Sequence, residues 1–111
     1  MGKQNEKPLE DSMGEMKKRF VKNFLDLILL QLIKTKPMWG YKIIKSTEQH
    51  FGVKLRHGAL YPMLNALETA GFLRSERALV KGRMRKTYEI TPKGKQLIDS
   101  YHSFLKEQIH T

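Results

Sequence analysis

The sequence predicts a mostly α-helical chain with one small β hairpin, the arrangement of a winged helix-turn-helix domain with an extra C-terminal helix. Three observations support this fold class. An apolar stripe at helical spacing runs through residues 60–70 and ends at Gly71, where a left-handed stop is easy. Two strand-like segments follow, separated by a glycine-containing turn at residues 81–83. A Thr91-Pro92 pair then provides a capping hydroxyl and a first-turn proline for a last helix.

Composition limits the classes of protein that need to be considered. The chain has 111 residues, which fits one domain, and its formal net charge is +10. Such an excess of cations favours a polyanionic partner, either nucleic acid or an anionic membrane surface. No apolar run approaches the ~20 residues of a membrane span, and no signal peptide is evident, so we expect a cytoplasmic protein with no membrane partner. The absence of cysteine excludes disulfides and thiolate metal sites.

The N-terminal third predicts an arm and one long helix. Residues 1–11 are polar and aperiodic, so we expect a disordered arm there. Ser12 and Glu15 have capping-box spacing, which predicts a helix start near residue 12. A broad apolar surface over residues 16–33 predicts a long helix that also faces a partner subunit. Its first turns carry a cationic cluster that a solvated face would also explain: Lys17, Lys18, Arg19 and Lys22.

Two further helices form the predicted helix-turn-helix unit. The first runs from about Tyr41 to His50 and is ended by Gly52. Residues 53–55 are an extended link and a candidate strand. The second helix begins near residues 56–58, because Pro62 lacks an amide hydrogen and must lie close to a helix start.

The polar face of that second helix suits the DNA major groove, because it can reach base edges and phosphates. Any amphipathic surface helix has one such face, so the interpretation depends on the surrounding sequence. Tyr61 has an alternative place, packed against the hairpin. The candidate contacts with bases or adjacent phosphates are Lys54, Arg56, His57, Tyr61 and Asn65.

Residues 72–80 and 84–91 are the predicted strands of the hairpin, and the second alternates well. A hairpin directly after a recognition helix is a wing, whose basic turn contacts phosphates or the minor groove. The alternative is a loop that its charges keep soluble. Cations occur in the turn and in both strands, which favours contact. The candidate wing contacts are Lys81, Arg83, Arg85 and Lys86.

The last helix has apolar residues at spacings of three and four, similar to a coiled-coil seam. It follows a projecting wing, so we expect burial against a second subunit, with packing inside its own subunit as the alternative. The predicted domains are therefore the winged helix-turn-helix at residues 12–91 and a dimerisation helix at residues 92–111. The candidate dimerisation residues are Phe20, Phe24, Leu97, Tyr101, Phe104 and Leu105.

No catalytic constellation is evident. The four histidines are scattered, and none has a carboxylate at a telling spacing: His50, His57, His102 and His110. Gly58 and Gly82 stand alone, so no phosphate-binding glycine loop is present. We expect no enzymatic activity, no cofactor and no metal site.

Several segments resemble the PadR family of winged-helix transcriptional regulators. Residues 39–44 resemble the family's His-Gly-Tyr-x-Ile, with Trp39 in place of the histidine. Residues 58–64 resemble Gly-Thr-Leu-Tyr-Pro-x-Leu, and residues 85–91 resemble the wing motif Arg-Lys-x-Tyr-x-Ile-Thr. The match covers about residues 24–97, and the short tail resembles the short-tailed branch. Arg56 and Ala59 depart from the pattern, since the family usually has a capping serine and a threonine there.

The resemblance, together with the charge pattern, implies a sequence-specific regulator that binds double-stranded DNA. We expect a repressor that acts as a homodimer on a pseudo-palindromic operator, with half-sites about one helical turn apart. Some relatives bind flat aromatic compounds between subunits, so a small aromatic effector stays open as a partner. Two alternatives remain: a winged-helix protein-interaction module and a non-specific basic DNA-binding protein.

Overall fold

A computed structural model describes residues 6–109 of the chain. Within them five helices surround one end of a small antiparallel sheet, which confirms the predicted fold class. The elements in chain order are α1 (Leu9–Asn23), α2 (Leu25–Thr35), β1 (Met38–Trp39), α3 (Gly40–Phe51), α4 (His57–Thr69), β2 (Leu73–Val80), β3 (Arg83–Ile90) and α5 (Pro92–Ile109).

The N-terminal helix begins earlier than predicted. α1 starts at Leu9 after Pro8, whose carbonyl accepts hydrogen bonds from the amides of Asp11 and Ser12. The predicted start at Ser12 is therefore wrong, and residues 9–11 are helical rather than part of a disordered arm. Two acidic residues in the first turn favour this earlier start, because they lie at the positive end of the helix dipole. Residues 1–5 of the predicted arm lie outside the described residues.

The predicted single long helix is two helices, divided at Phe24. The backbone there has φ −116° and ψ 31°, which interrupts the helical geometry, although the Phe24 amide still donates to the Phe20 carbonyl at 2.9 Å. The break separates two different environments. α1 is mostly exposed, and Val21 is its one buried residue among those described. α2 instead lies in the middle of the core.

The core is built around α2. Six of its eleven residues are buried, and α2 contacts α1, α3, α4, α5 and β3. Burying one large apolar side chain stabilises the fold by roughly 1.5–3 kcal/mol, so this short helix contributes more than its length suggests. The core residues that α2 supplies are Leu25, Leu27, Ile28, Leu29, Leu30 and Ile33.

The predicted hairpin is present, and a third strand joins it. β2 and β3 pair antiparallel, with Val80 opposite Arg83, and both turn residues between them have positive φ: 51° at Lys81 and 78° at Gly82. Two left-handed residues match the right-handed twist of the strands. β1 pairs with the other edge of β3, giving the order β1-β3-β2. The candidate strand at residues 53–55 is wrong, because that link pairs with no strand in the described chain.

α5 starts as predicted. The Thr91 hydroxyl accepts a hydrogen bond from the Gly94 amide at 3.1 Å and donates one to the Gly71 carbonyl at 2.6 Å. The helix then packs along α2, where Ile98 is fully buried and His102 contacts Gln31 at 2.6 Å.

The aromatic side chains expected at a dimer interface contact one another within this subunit. Phe20 stacks on Phe24 with ring centroids 5.3 Å apart, and Phe24 meets the edge of Tyr101 at 6.4 Å. Leu97 and Leu105 are half-buried against the same core, whereas Phe104 remains 59% exposed. Part of the apolar seam of α5 therefore packs inside its own subunit, which was the alternative to a dimer contact.

The contact between α5 and α2 leads to a pH prediction. The Tyr101 hydroxyl donates a hydrogen bond to the Asp26 carboxylate; that bond, burial and the carboxylate charge together raise the pKa of Tyr101 to about 12 from its ordinary value of 10.0. Because the pKa of Tyr101 is raised in the folded state, the contribution of the Tyr101–Asp26 hydrogen bond to folding stability is complete below pH 10. That contribution is lost as the pH rises through 12.

Ultraviolet titration of tyrosinate tests this. The absorbance difference between wild type and Tyr101→Phe should show one titration step near pH 12, which belongs to Tyr101. In a protein that also carries Asp26→Asn, this step should move toward pH 10. A difference step that already lies at 10 in the wild type would contradict the contact.

Candidate nucleic-acid interface

α4 presents an exposed face opposite the core. The backbone of Arg56 is extended at φ −90° and ψ 152°, and no side chain caps the helix start, as expected where arginine replaces a capping serine. Leu60, Leu64 and Leu67 are buried, so residues about half a turn away point to solvent. The exposed positions on that side are Gly58, Pro62, Asn65, Ala66 and Thr69.

Only one of the five predicted recognition residues, Asn65, belongs to that outermost face. The prediction selected polar side chains and so missed Gly58, Pro62 and Ala66. Their exposure follows from the 3.6-residue period alone and could have been read from the stripe of buried leucines. Small residues there let the helix backbone approach a partner closely.

His57 and Tyr61 lie on the side of α4 that faces the hairpin. Their rings are stacked, with centroids 5.7 Å apart and planes 11° from parallel. The Tyr61 hydroxyl end lies against Gly40, where an added Cβ would overlap the hydroxyl and come within 2.8 Å of Cζ. Tyr61 therefore rests on the start of α3, which is a third placement beside the two considered from the sequence.

An open groove of about 620 Å³ lies between α4, the start of α3 and β3. It brings together three predicted recognition residues and two predicted wing residues, which are far apart in the sequence. The lining residues that matter here are His57, Tyr61, Asn65, Arg85 and Lys86.

The cations of the hairpin differ in their partners. Lys86 Nζ lies 3.6 Å from Glu68 Oε1 and 5.6 Å from the Tyr88 ring centroid, so part of its charge is already compensated. Within residues 6–109 no ion pair involves Lys81, Arg83 or Arg85. These three cations are available to an external anion.

A smaller groove of about 330 Å³ extends the positive surface to α3. The turn residue Lys81 lines it together with Lys42 and Lys45, which the sequence analysis did not select. The sequence does indicate a basic surface here, because Lys42 and Lys45 are three residues apart on α3 and therefore lie on the same face of that helix.

The remaining predicted residues lie on the opposite flank of α4. Lys54 and Arg56 line an open groove of about 430 Å³ together with Lys18 and Lys22 of α1. Apolar side chains, including Val21, also line it. The nine predicted contacts therefore do not form one cluster. They are divided among the two flanks of α4, its outer face and the hairpin turn.

Residues 6–109 were also compared with the requirements of a metal site and of a membrane span. They contain no cluster of three or more histidine, cysteine, aspartate or glutamate side chains that could hold a metal ion. None of the helices described is long and apolar enough to span a membrane.

A helix-turn-helix flanked by a basic β hairpin defines a winged-helix protein. A sequence model described as the Transcriptional regulator PadR-like family matches residues 29–100, so the chain belongs to that family. The family is one of transcriptional regulators, which are not enzymes. This confirms the resemblance drawn from the motifs.

Individual relatives agree with the family assignment. The chain is 39% identical over 56 residues to Transcriptional regulator Rv3488 of Mycobacterium tuberculosis, and the match covers 50% of this chain and 52% of that protein. The chain thus matches about half the length of this curated relative. A PadR-like transcription factor from Bacteroides fragilis has a TM-score of 0.71 and 25% identity, covering 85% of this chain and 91% of that one. A PadR family transcriptional regulator from Eggerthella lenta has a TM-score of 0.71 and 26% identity, covering 89% and 83%.

Proposed function

We propose that the protein is a sequence-specific regulator that binds double-stranded DNA, and that it represses transcription as a homodimer on a pseudo-palindromic operator. The observation that carries this proposal is the groove in which His57, Tyr61 and Asn65 of α4 adjoin Arg85 and Lys86 of the hairpin. Membership of a family of transcriptional regulators supports it. Such a protein acts in the compartment that holds the chromosome, here the cytoplasm.

In this proposal α4 enters the major groove. Asn65 is the strongest candidate for base contact, because its amide can make two hydrogen bonds to adenine from the outermost face. His57 contacts a base or a neighbouring phosphate at the edge of the helix. Tyr61 holds the start of α3 beside α4. Arg85 contacts the DNA phosphate backbone on the side of α4 that faces the hairpin.

The second flank of α4 faces the other DNA strand. Lys54 and Arg56 contact its phosphates, so the two flanks bind the two walls of the major groove. Lys81, Arg83 and Lys86 complete the contacts on the wing side. Repression then follows from occupancy, because a bound dimer excludes other proteins from the operator.

Selection from a random duplex library at two salt concentrations, followed by sequencing, tests this function. An enriched inverted repeat is expected. Binding without enrichment that disappears at high salt would instead indicate a non-specific basic DNA-binding protein. No binding at either salt would favour a protein-interaction module.

The proposed dimer interface combines α1 and α5. Exposed apolar side chains follow one side of α1 at helical spacing, with Leu9 75%, Met13 43% and Met16 40% exposed. On α5, Phe104 is 59% and Ile109 78% exposed. A second copy would bury both stripes, next to the aromatic cluster of the predicted seam. A small aromatic effector would bind at that cluster, beside Phe20, Phe24 and Tyr101.

The double variant Met13→Glu/Phe104→Glu should be monomeric. Each dimer would lose four apolar contacts and gain four buried charges, so its dissociation constant should rise roughly a thousandfold or more. Sedimentation velocity over a concentration series measures this. Leu79→Glu is the matched control, since Leu79 is 70% exposed but lies on the hairpin. A double variant that remains dimeric would place the interface elsewhere.

A further inference from the structure

Two large apolar side chains lie side by side near the end of the hairpin. Leu79 is 70% exposed and Met84 is 59% exposed, and the two are directly opposite each other in the β2–β3 register. Cross-strand partners of this kind have Cβ atoms roughly 4.5–5.5 Å apart, so they form one continuous apolar surface. Both are separated from the core by charged residues, so they contribute little to folding.

Strand alternation gives the direction of this pair. Residues 73, 75, 77 and 79 of β2 share one face with residues 90, 88, 86 and 84 of β3. At the base of that face Leu73 and Tyr88 are each 2% exposed in the core. Met84 lines the groove beside α4. The apolar pair therefore continues the face that adjoins the recognition helix, further out along the hairpin.

Cations surround the pair on that face and at the turn. Arg77 and Lys86 are directly opposite each other between the core and the pair. Like charges in this arrangement destabilise a hairpin, and a bound polyanion would relieve the repulsion. Lys81 and Arg83 lie beyond the pair. From residue 77 to residue 88 the chain has no acidic residue.

We propose that Leu79 and Met84 enter the minor groove next to the operator half-site and lie against its deoxyribose walls. This rests on the proposed DNA-binding function and adds an uncharged contact to it. Phosphates line the rims of that groove, where the surrounding cations would meet them, and apolar side chains are a recurrent means of contact inside it. Along the hairpin the order is cations, apolar pair and turn cations, which matches rim, wall and rim.

The test uses the operator recovered by selection and the double variant Leu79→Ala/Met84→Ala in the full chain. Binding should weaken roughly 10- to 100-fold at every salt concentration. The slope of log K against log salt should stay at the wild-type value, because no cation is lost. Hydroxyl-radical footprinting, which reports deoxyribose exposure in the minor groove, should show loss of protection at the outer flank of the half-site.

Val80→Ala is the matched control, since Val80 lies on the opposite face of the same strand. It should leave affinity and footprint unchanged. Each single variant, Leu79→Ala and Met84→Ala, should show part of the loss, and circular dichroism verifies that they fold.

Wild-type affinity and footprint in the double variant would overturn the proposal. A change in oligomeric state without a change in DNA binding would also overturn it, because the pair would then be a contact between copies. Failure of the wild type to enrich any operator is a different result, which removes the proposed function itself.

Discussion

Replacing Lys81, Arg83 and Arg85 together with alanine is expected to weaken operator binding by at least about 100-fold at physiological salt. None of the three takes part in an ion pair within residues 6–109. Each phosphate contact contributes roughly 0.9 to the slope of log K against log salt, and a homodimer loses six cations, so the slope should fall by about five. Fluorescence anisotropy over a salt series measures both quantities. Lys86 is left in place because Glu68 already compensates part of its charge.

A triple variant with the same loss of charge serves as control. Lys34, Lys36 and Lys106 are exposed and line none of the grooves beside α4. Their replacement by alanine lowers the net charge equally but removes no cation from the lining of those grooves. Equal losses in the two triple variants would show that the total charge, rather than the wing, determines binding.

Local signals in the sequence were sufficient for most elements. The start of α4 at His57, the hairpin turn at Lys81-Gly82 and the start of α5 after Thr91 were predicted within one residue. In each case the cause lies within a few residues of the chain: a proline near a helix start, a left-handed glycine or a capping hydroxyl. Such signals act before any tertiary contact forms.

Two of the errors concern features that tertiary contacts determine. The break at Phe24 lies inside a continuous apolar run, so no local signal marks it. It separates the exposed α1 from α2, which other elements surround. β1 is two residues long and exists because β3 offers it an edge. Neither periodicity nor turn chemistry contains this information.

The candidate site was predicted in composition but only partly in arrangement. The sequence analysis placed Tyr61 on the exposed face or against the hairpin, and it did not predict that the hydroxyl end of Tyr61 also lies against Gly40. It also grouped Lys54 and Arg56 with His57 as candidate DNA contacts, although Lys54 and Arg56 line the other flank of α4. Position along a helix indicates a direction only relative to its own axis, and the axis itself is placed by packing.

The apolar seam of α5 shows the same limit. Ile98 belongs to the same apolar spacing as Tyr101 and Phe104, yet Ile98 is fully buried in the subunit and Phe104 is 59% exposed. A seam wider than one stripe is only partly covered by the core of its own subunit. The heptad pattern does not state how they are divided.

Gly94→Ala is expected to lower the free energy of unfolding by about 3 kcal/mol, because α5 crosses the base of the hairpin at that residue. An added Cβ would overlap the carbonyl oxygen of Phe72 and come within 2.7 Å of Ile90 Cγ1. The Phe72 backbone has little freedom to yield, since that same oxygen accepts a hydrogen bond from the Thr91 amide at 3.2 Å. Urea unfolding at a fixed protein concentration measures the change.

Gly14→Ala makes the same chemical change in α1, where nothing lies within 4 Å of the added Cβ. Alanine is the better helix former, so this control should raise the free energy of unfolding by up to about 1 kcal/mol. The two substitutions thus have opposite expected signs, and the difference isolates the close approach of α5 to the strand ends. If Gly94→Ala were neutral, α5 would have to be displaced from the hairpin without cost. In that case the position of the proposed dimer surface relative to the wing would not be set by this contact.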